Sequence, residues 1–248
     1  MMNQKVCYLH FRFFYYPDFF DGSEFRAANF NHLVQLYERE QMMPVKLAHK
    51  LSHRVLFPGP IERQSVQLTS AVFHESTVSA LHYYSKRGNP DFSSTANFIN
   101  IILQWWKLVN AQSTFLAIKK RDNQREAITR SNLTEKCSFL RGFVDWLCEW
   151  EKHGGTERGL SSETFEAAKH SSECLASIFE YLLEDVALDY VLPIKLQNDK
   201  IEGRFGRLRQ MCGGNLFASV RQFLESERSI RMINLAKLNL QVEEGPIL

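Results

Sequence analysis

The sequence has no C-x-x-C pair, and its five cysteines, Cys7, Cys137, Cys148, Cys174 and Cys212, are odd in number and scattered. Neither a zinc site nor a disulfide framework is supported, and reduced thiols in an intracellular protein are expected. Charge of one sign is also missing. Thirty Lys+Arg against 28 Asp+Glu give a formal net charge of +2, so any basic surface must be local rather than global. Long apolar runs are absent too. The most aromatic stretch, "VCYLHFRFFYYPDFF", is interrupted by His10, Arg12, Pro17 and Asp18, well short of the ~20 apolar residues a membrane span needs. It reads neither as a signal peptide nor as a membrane anchor. No internal repeat is visible.

What is present suits a sizeable core: 248 residues, 44% of them hydrophobic, enough for one large domain or two smaller ones. The aromatic N-terminus reads as a buried strand running into a loop at Pro17. A chain that starts on a core strand suggests a piece of something larger.

Most of the remainder reads as helix. "SEFRAANFNHLVQLYEREQ" has Ser23 as a candidate N-cap and an apolar stripe at Phe30, Leu33, Val34 and Tyr37. Pro58 and Pro60 around Gly59 mark a loop. Ser93 or Ser94 is a candidate cap for "TANFINIILQWWKLVNAQ", apolar on most sides and therefore expected at the centre. "EKHGGTERGLSS" is the best internal linker candidate. After it Phe165, Ala168, Ser172, Leu175, Phe179, Leu182 and Val186 recur at spacings of three and four, one side of a packed helix. The expected fold is mainly α, with one or two strands near the N-terminus.

The chemistry concentrates in "LQNDKIEGRFGRLRQMCGGN", Leu196 to Asn215. If Asp199 to Cys212 is helical, Ile201, Phe205, Leu208 and Cys212 share one face and Asp199 and Glu202 another. Phe205 then anchors the helix while the acids point into a groove, with Arg207 and Arg209 near enough to touch phosphates. Gly213-Gly214 ends the helix. Such a set suits metal-assisted phosphoryl chemistry. An acid pair favoured by the helix dipole, beside a solvated basic face, is the blander alternative.

The run Asn198-Asp199-x-x-Glu202-x-x-Phe205, followed by Arg209, Gly213-Gly214-Asn215 and "RQF" at Arg221 to Phe223, resembles the end of the catalytic domain of P-element-like transposases, which include the THAP-domain transposases. Upstream, Lys46, Leu47, His53, Pro58, Val66, Ala71, Val72 and Phe73 stand in the order seen where the helical insertion of that family opens. The resemblance covers roughly Phe30 to Lys237. It implies a helical GTP-binding insertion domain joined to the C-terminal helical part of an RNase H-like domain. The expected boundaries are 1–22 for a remnant RNase H-like strand, 23–153 for the insertion, and 161–240 for the C-terminal part. The implied ancestral activity is Mg²⁺-dependent cleavage and transfer of DNA strands, with Glu202 as the last acid of an Asp-Asp-Glu set, a metal ligand, and Asp199 beside it. DNA is the implied partner, through Arg207 and Arg209. A homo-oligomer is a further candidate, a membrane is not, and a nuclear or intracellular location is implied.

Three departures bear on activity. Cys7 stands where the family's second catalytic Asp would precede His10, and a thiol is a poor Mg²⁺ ligand. The first catalytic Asp, and the Cys/His zinc finger of THAP-type members, would both lie upstream of this sequence. Lys107 stands where the family has the acid that reads guanine in an F-D-x-x-N segment, while Asn110 is retained as a candidate nucleotide contact. Lysine has no acceptor for guanine's N1–H and N2–H₂. The chain is therefore expected to be inactive alone, and a non-enzymatic, domesticated nucleic-acid or protein-binding module stays open as the alternative.

Four further features have a structural and a functional reading. His49 and His53 lack a third metal ligand and are expected as surface histidines. Trp105-Trp106 are expected to pack rather than stack bases. "KKRDNQR", Lys119 to Arg125, is expected as a solvated face rather than an import or phosphate patch. Arg221, Arg228 and Arg231 could extend a DNA-facing surface.

Overall fold

Phe13–Pro17 (β1) and Phe25–Asn29 (β2) pair as an antiparallel hairpin, Phe13 opposite Asn29 and Pro17 opposite Phe25. The structure, a computed structural model, describes residues 13–19, 25–158, 160–214 and 217–243. β-Branched residues are not what holds the hairpin. Aromatic rings on alternate positions do that, with Phe14 and Tyr16 on the face that meets the core. The Trp146 indole N–H donates to the Pro17 carbonyl at 2.8 Å, so the strand ends against a buried partner.

Beyond the hairpin the described chain is mostly helical. The helices are, in order, α1 (Phe30–Gln41), α2 (His53–Leu56), α3 (Val66–Val72), α4 (Glu75–Ser85), α5 (Phe92–Val109), α6 (Thr114–Lys120), α7 (Leu133–Arg158), α8 (Ser162–Glu180), α9 (Asp199–Met211) and α10 (Val220–Glu243). The mainly helical expectation holds, with two strands near the start. The chain divides into two compact units, Met1–Ile194 and Lys195–Leu248.

In the first unit α5 is central, as its all-round apolarity predicts. Its Phe98 ring packs 5.2 Å from Tyr16 and 5.5 Å from Trp150. Helices α7 and α8 run antiparallel: Cys137 lies near the Ala176 carbonyl, while Trp150, one end further along α7, meets Phe165 at 5.2 Å. Trp105 is buried and donates its indole N–H to Ser172 Oγ at 2.9 Å. The hydroxyl at this apolar-face position thus satisfies a buried donor. Packing is the role expected of Trp105, whereas Trp106 is more than a third exposed.

Several local expectations are corrected. Helix α1 begins at Phe30, because Asn29 Oδ1 accepts the Asn31 N–H at 2.8 Å and caps the helix. Ser23 lies outside the described residues. Neither Ser93 nor Ser94 caps α5, which starts at Phe92; the Ser94 hydroxyl donates instead to the Ala27 carbonyl at 2.5 Å. The expected linker is helical as far as Arg158. Two glycines cost about 1 kcal/mol each against alanine, too little to stop a helix so heavily packed on α8. Beyond α8, a π turn at Tyr181–Asp185 inserts an extra residue. Leu183 is therefore buried in place of the expected Leu182, and Val186 is 45% exposed.

In the second unit α9 ends as predicted, with Gly213 and Gly214 at φ +78° and +75°, a region that favours glycine. Helix α10 opens with a capping box. Ser219 Oγ accepts the Gln222 N–H at 3.2 Å, and Gln222 Oε1 accepts the Ser219 N–H at 2.9 Å. Ring contact between Phe205 and Phe223, at 6.1 Å, joins α9 to α10.

Candidate nucleotide and nucleic-acid sites

Asn110 is the C-cap residue of α5, and its side-chain amide donates to the Trp106 carbonyl at 2.9 Å. One helical turn earlier Lys107, 11% exposed, reaches Glu75 at 2.7 Å and Asp122 at 2.8 Å. Arg125 closes the cluster, 3.1 Å from Asp122 and 3.6 Å from Glu75. Lys107 therefore does not leave its surroundings without acceptors, as its own chemistry suggests. Two carboxylates from other elements stand at its ammonium, and Glu75 is half exposed. Lys107 and Arg125 hold both acids ionised. At Glu75 the hydrogen bond from Lys107 depresses the pKa, and at Asp122 burial raises it but the contacts of Lys107, the Gln124 N–H and Arg125 together outweigh that. In "KKRDNQR", Lys119, Lys120 and Arg121 are exposed, while Asp122 and Arg125 turn inward to this cluster.

The N-terminus of α4 joins this cluster to a second feature. His74 caps α4 by accepting the Ser76 N–H on Nδ1 at 3.1 Å, and Glu75 is the next residue. His74 also lines an open pocket of about 450 Å³ with Lys50, Arg54, Ser65, Gln67 and Ser70. Arg54 is held by Glu62 at 2.6 Å, whereas Lys50 has no ion-pair partner among the described residues. Burial lowers the His74 pKa, opposed by Glu75 and assisted by Lys50, His49 and Lys120. Cationic and hydroxyl groups converging on a concave site can hold an anion. Sequence reading misses this pocket because its residues come from four separate segments. His49 and His53 are exposed, the first against His74 and the second against Phe57.

The acid–arginine stretch is helical, but its burial differs from expectation. Leu208 is the residue of the predicted face that is fully buried. Phe205 and Ile201 are 49% and 59% exposed. Anchoring thus comes from Leu208, because the Phe205 ring is turned toward Phe223 of α10. Glu202, Arg207 and Arg209 are all exposed. The Asp199 side chain, like Cys7, His10 and Asp21, lies outside the described residues. Arg207, Arg209 and Arg228 have no carboxylate partner among the described residues. By contrast Arg204 and Arg231 pair with Glu227, and Arg221 with Glu225. Lys195 and Lys200 stand close enough for the first to lower the pKa of the second. This surface carries positive charge that the unit does not neutralise. A Mg²⁺ ion would need several hard oxygen donors together. Among the described residues no three His, Cys, Asp or Glu side chains gather to hold a metal, so Glu202 does not fit that role by itself.

Residues 18–122 match the family described as TNP-like, GTP-binding insertion domain. No curated protein matches the sequence. Among solved structures, a chain of the Drosophila P element transposase strand transfer complex superposes with a TM-score of 0.67 at 16% identity, over 91% of this chain. The present chain spans about half the length of that transposase chain, 47%. No helix among the described residues is long and apolar enough to cross a membrane. Residues 18–122 are thus similar to a TNP-like, GTP-binding insertion domain, and the fold of nearly all of the chain is like that of the P element transposase chain.

Proposed function

We propose that this chain serves a P-element-like transposition system by holding DNA, and that it does not cut DNA alone. The observation that carries the reading is the set of exposed, unneutralised arginines, Arg207, Arg209 and Arg228, on the helix of Glu202 and the helix that follows it, in a chain with a fold like that of the P element transposase chain. Unpaired arginines at the surface release counterions when they meet phosphates, whereas paired ones must first break their own bridges. Glu202 retains the place of an ancestral Mg²⁺-dependent strand-cleaving carboxylate. The other carboxylates of such a site would come from elsewhere, another segment or a second copy. Work on DNA implies a nuclear location and makes a homo-oligomer the natural working form.

Purified chain mixed with supercoiled DNA and Mg²⁺ tests this directly. The expected outcome is retarded DNA mobility without nicking. Nicking that Glu202→Gln abolishes would contradict the inactive reading and restore the enzyme. Absence of any DNA binding at low salt would leave the domesticated protein-binding module as the better account.

A second reading has its own observation. The Lys50–Arg54–His74 pocket abuts the Glu75–Lys107–Asp122–Arg125 cluster at the start of α4, so anion-binding and acceptor groups adjoin within the segment that matches the GTP-binding family. A guanine nucleotide could place phosphates in the first and its N–H edge at Glu75. Calorimetry should then show GTP binding that weakens in Lys50→Ala. No heat at millimolar GTP removes this reading and leaves the DNA one intact.

A further inference from the structure

Helix α5 shows a row of three carboxamides that the rest of the structure does not use. Asn97, Asn100 and Gln104 succeed one another at three and four residues, so they stand on one face. None of the three has a hydrogen-bond partner among the described residues. They line a cavity of about 250 Å³ beside the hairpin, walled by Phe19, Phe139 and the Asp18–Arg26 pair. The two phenylalanine rings lie 5.7 Å apart and are tilted, so they present one continuous apolar wall rather than a slot.

The chemistry of these groups selects among ligands. A carboxamide offers a donor and an acceptor side by side, the complement of adenine's N7 and N6–H₂ edge. On the same edge guanine's O6 and N7 ask for a free arginine and cytosine's N4 for a free carboxylate, while thymine's O4 and methyl give a carboxamide no donor to pair with. Here Arg26 and Asp18 hold each other at 2.8 Å. Size agrees as well. Seven residues of helix rise about 10 Å, the length of a flat base with its first sugar atoms, and too short for an extended peptide of several residues.

We propose that this cavity binds an adenine base, with Asn100 and Gln104 reading its amino edge and the Phe19–Phe139 wall carrying its face. The base reaches it either as a free nucleotide or as an unstacked base of single-stranded DNA. The second source rests on the DNA-holding function, while the cavity itself uses no residue of α9 or α10.

Trp146, 6.2 Å from both the Tyr16 and Phe19 rings, supplies a fluorescence readout. The full chain is titrated with AMP, thymidine monophosphate, oligo-dA and oligo-dT. Adenine forms should bind about tenfold tighter than thymine forms, and Asn100→Leu or Gln104→Leu should abolish that preference. A preference seen with AMP assigns the free nucleotide as a source, and one seen with oligo-dA alone assigns DNA. Asn100→Asp, which keeps the side-chain volume, should also lose the preference while its thermal midpoint stays with the parent's. Equal affinity for adenine and thymine forms, or a preference that survives all three substitutions, overturns the proposal. In either case salt-sensitive binding of oligo-dT would still stand for the arginine surface, so the two readings fail separately.

Discussion

Helix α7 in the first unit buries Phe143, Trp146 and Trp150 on one face, and the indole N–H of Trp146 finds a carbonyl. Helices α9 and α10 in the second unit do the reverse. Ile201, Phe205, Met211, Val220, Leu224 and Met232 are all substantially exposed, while Leu208 and Ile230 are buried. Some of the charges differ in the same way, although Lys119, Lys120 and Arg121 of the first unit are exposed. Lys107 and Lys136 in the first unit are enclosed and bonded, Lys136 to the Asn123 carbonyl at 2.8 Å, whereas Arg207 and Arg209 face outward. Side chains of the first unit are largely explained by each other. Those of the second leave apolar and basic groups open to solvent.

The strongest way to break this contrast is to truncate one ring in each unit. Trp150→Ala should cost about 3–5 kcal/mol in denaturant unfolding, because the indole is fully buried between Phe14, Phe98 and Phe165. Phe205→Ala should cost about 1 kcal/mol, since half of the ring already lies in water. Equal costs would show that α9 is as deeply committed to a core as α7.

A smaller effect isolates one hydrogen bond. Ser172→Ala removes the hydroxyl and leaves the buried Trp105 N–H without its acceptor, at about 1–3 kcal/mol. The urea midpoint measured for Ser172→Ala should fall, and a neutral result would mean the indole has another acceptor.

The two units are not equally legible in the sequence. The core helices are, because period alone places Phe98, Trp105, Phe165 and Phe179 inside. The hairpin partner Phe25–Asn29 reads as helix, since "EFRAAN" has no strand alternation and is held extended by pairing with β1. The face of α8 slips at the π turn, which no spacing rule announces. At the candidate sites the arginines and Glu202 are legible from a motif. Their exposure is not, because it depends on which apolar residue of α9 is buried. The acceptors beside Lys107 are invisible to a linear reading, as Glu75 and Asp122 come from other elements.

Histidines give the next test, confined to the first unit. The pKa values of His32, His74 and His82 are all lowered, in each case mainly by burial. The unfolded chain therefore takes up these protons before the folded one does. The stability they contribute is present above the ordinary histidine value of 6.5 and is lost as pH falls below it. Thermal midpoints should drop between about pH 7 and pH 5, and less steeply in His74→Asn, which retains a capping acceptor. A midpoint that rises on acidification in this range would reverse the sign and the burial argument with it.

Arginine substitutions should barely move stability, within about 0.5 kcal/mol, because Arg207 and Arg209 make no bridge to lose. Their effect belongs in binding. The decisive measurement is the salt dependence of duplex DNA binding by the intact chain and by Arg207→Ala/Arg209→Ala. A steep linear fall of log K with log salt is expected, with a slope shallower by about two in the double variant. Binding that ignores salt, or a slope the substitutions leave unchanged, would contradict the claim that this unit's unneutralised arginines are there to hold nucleic acid.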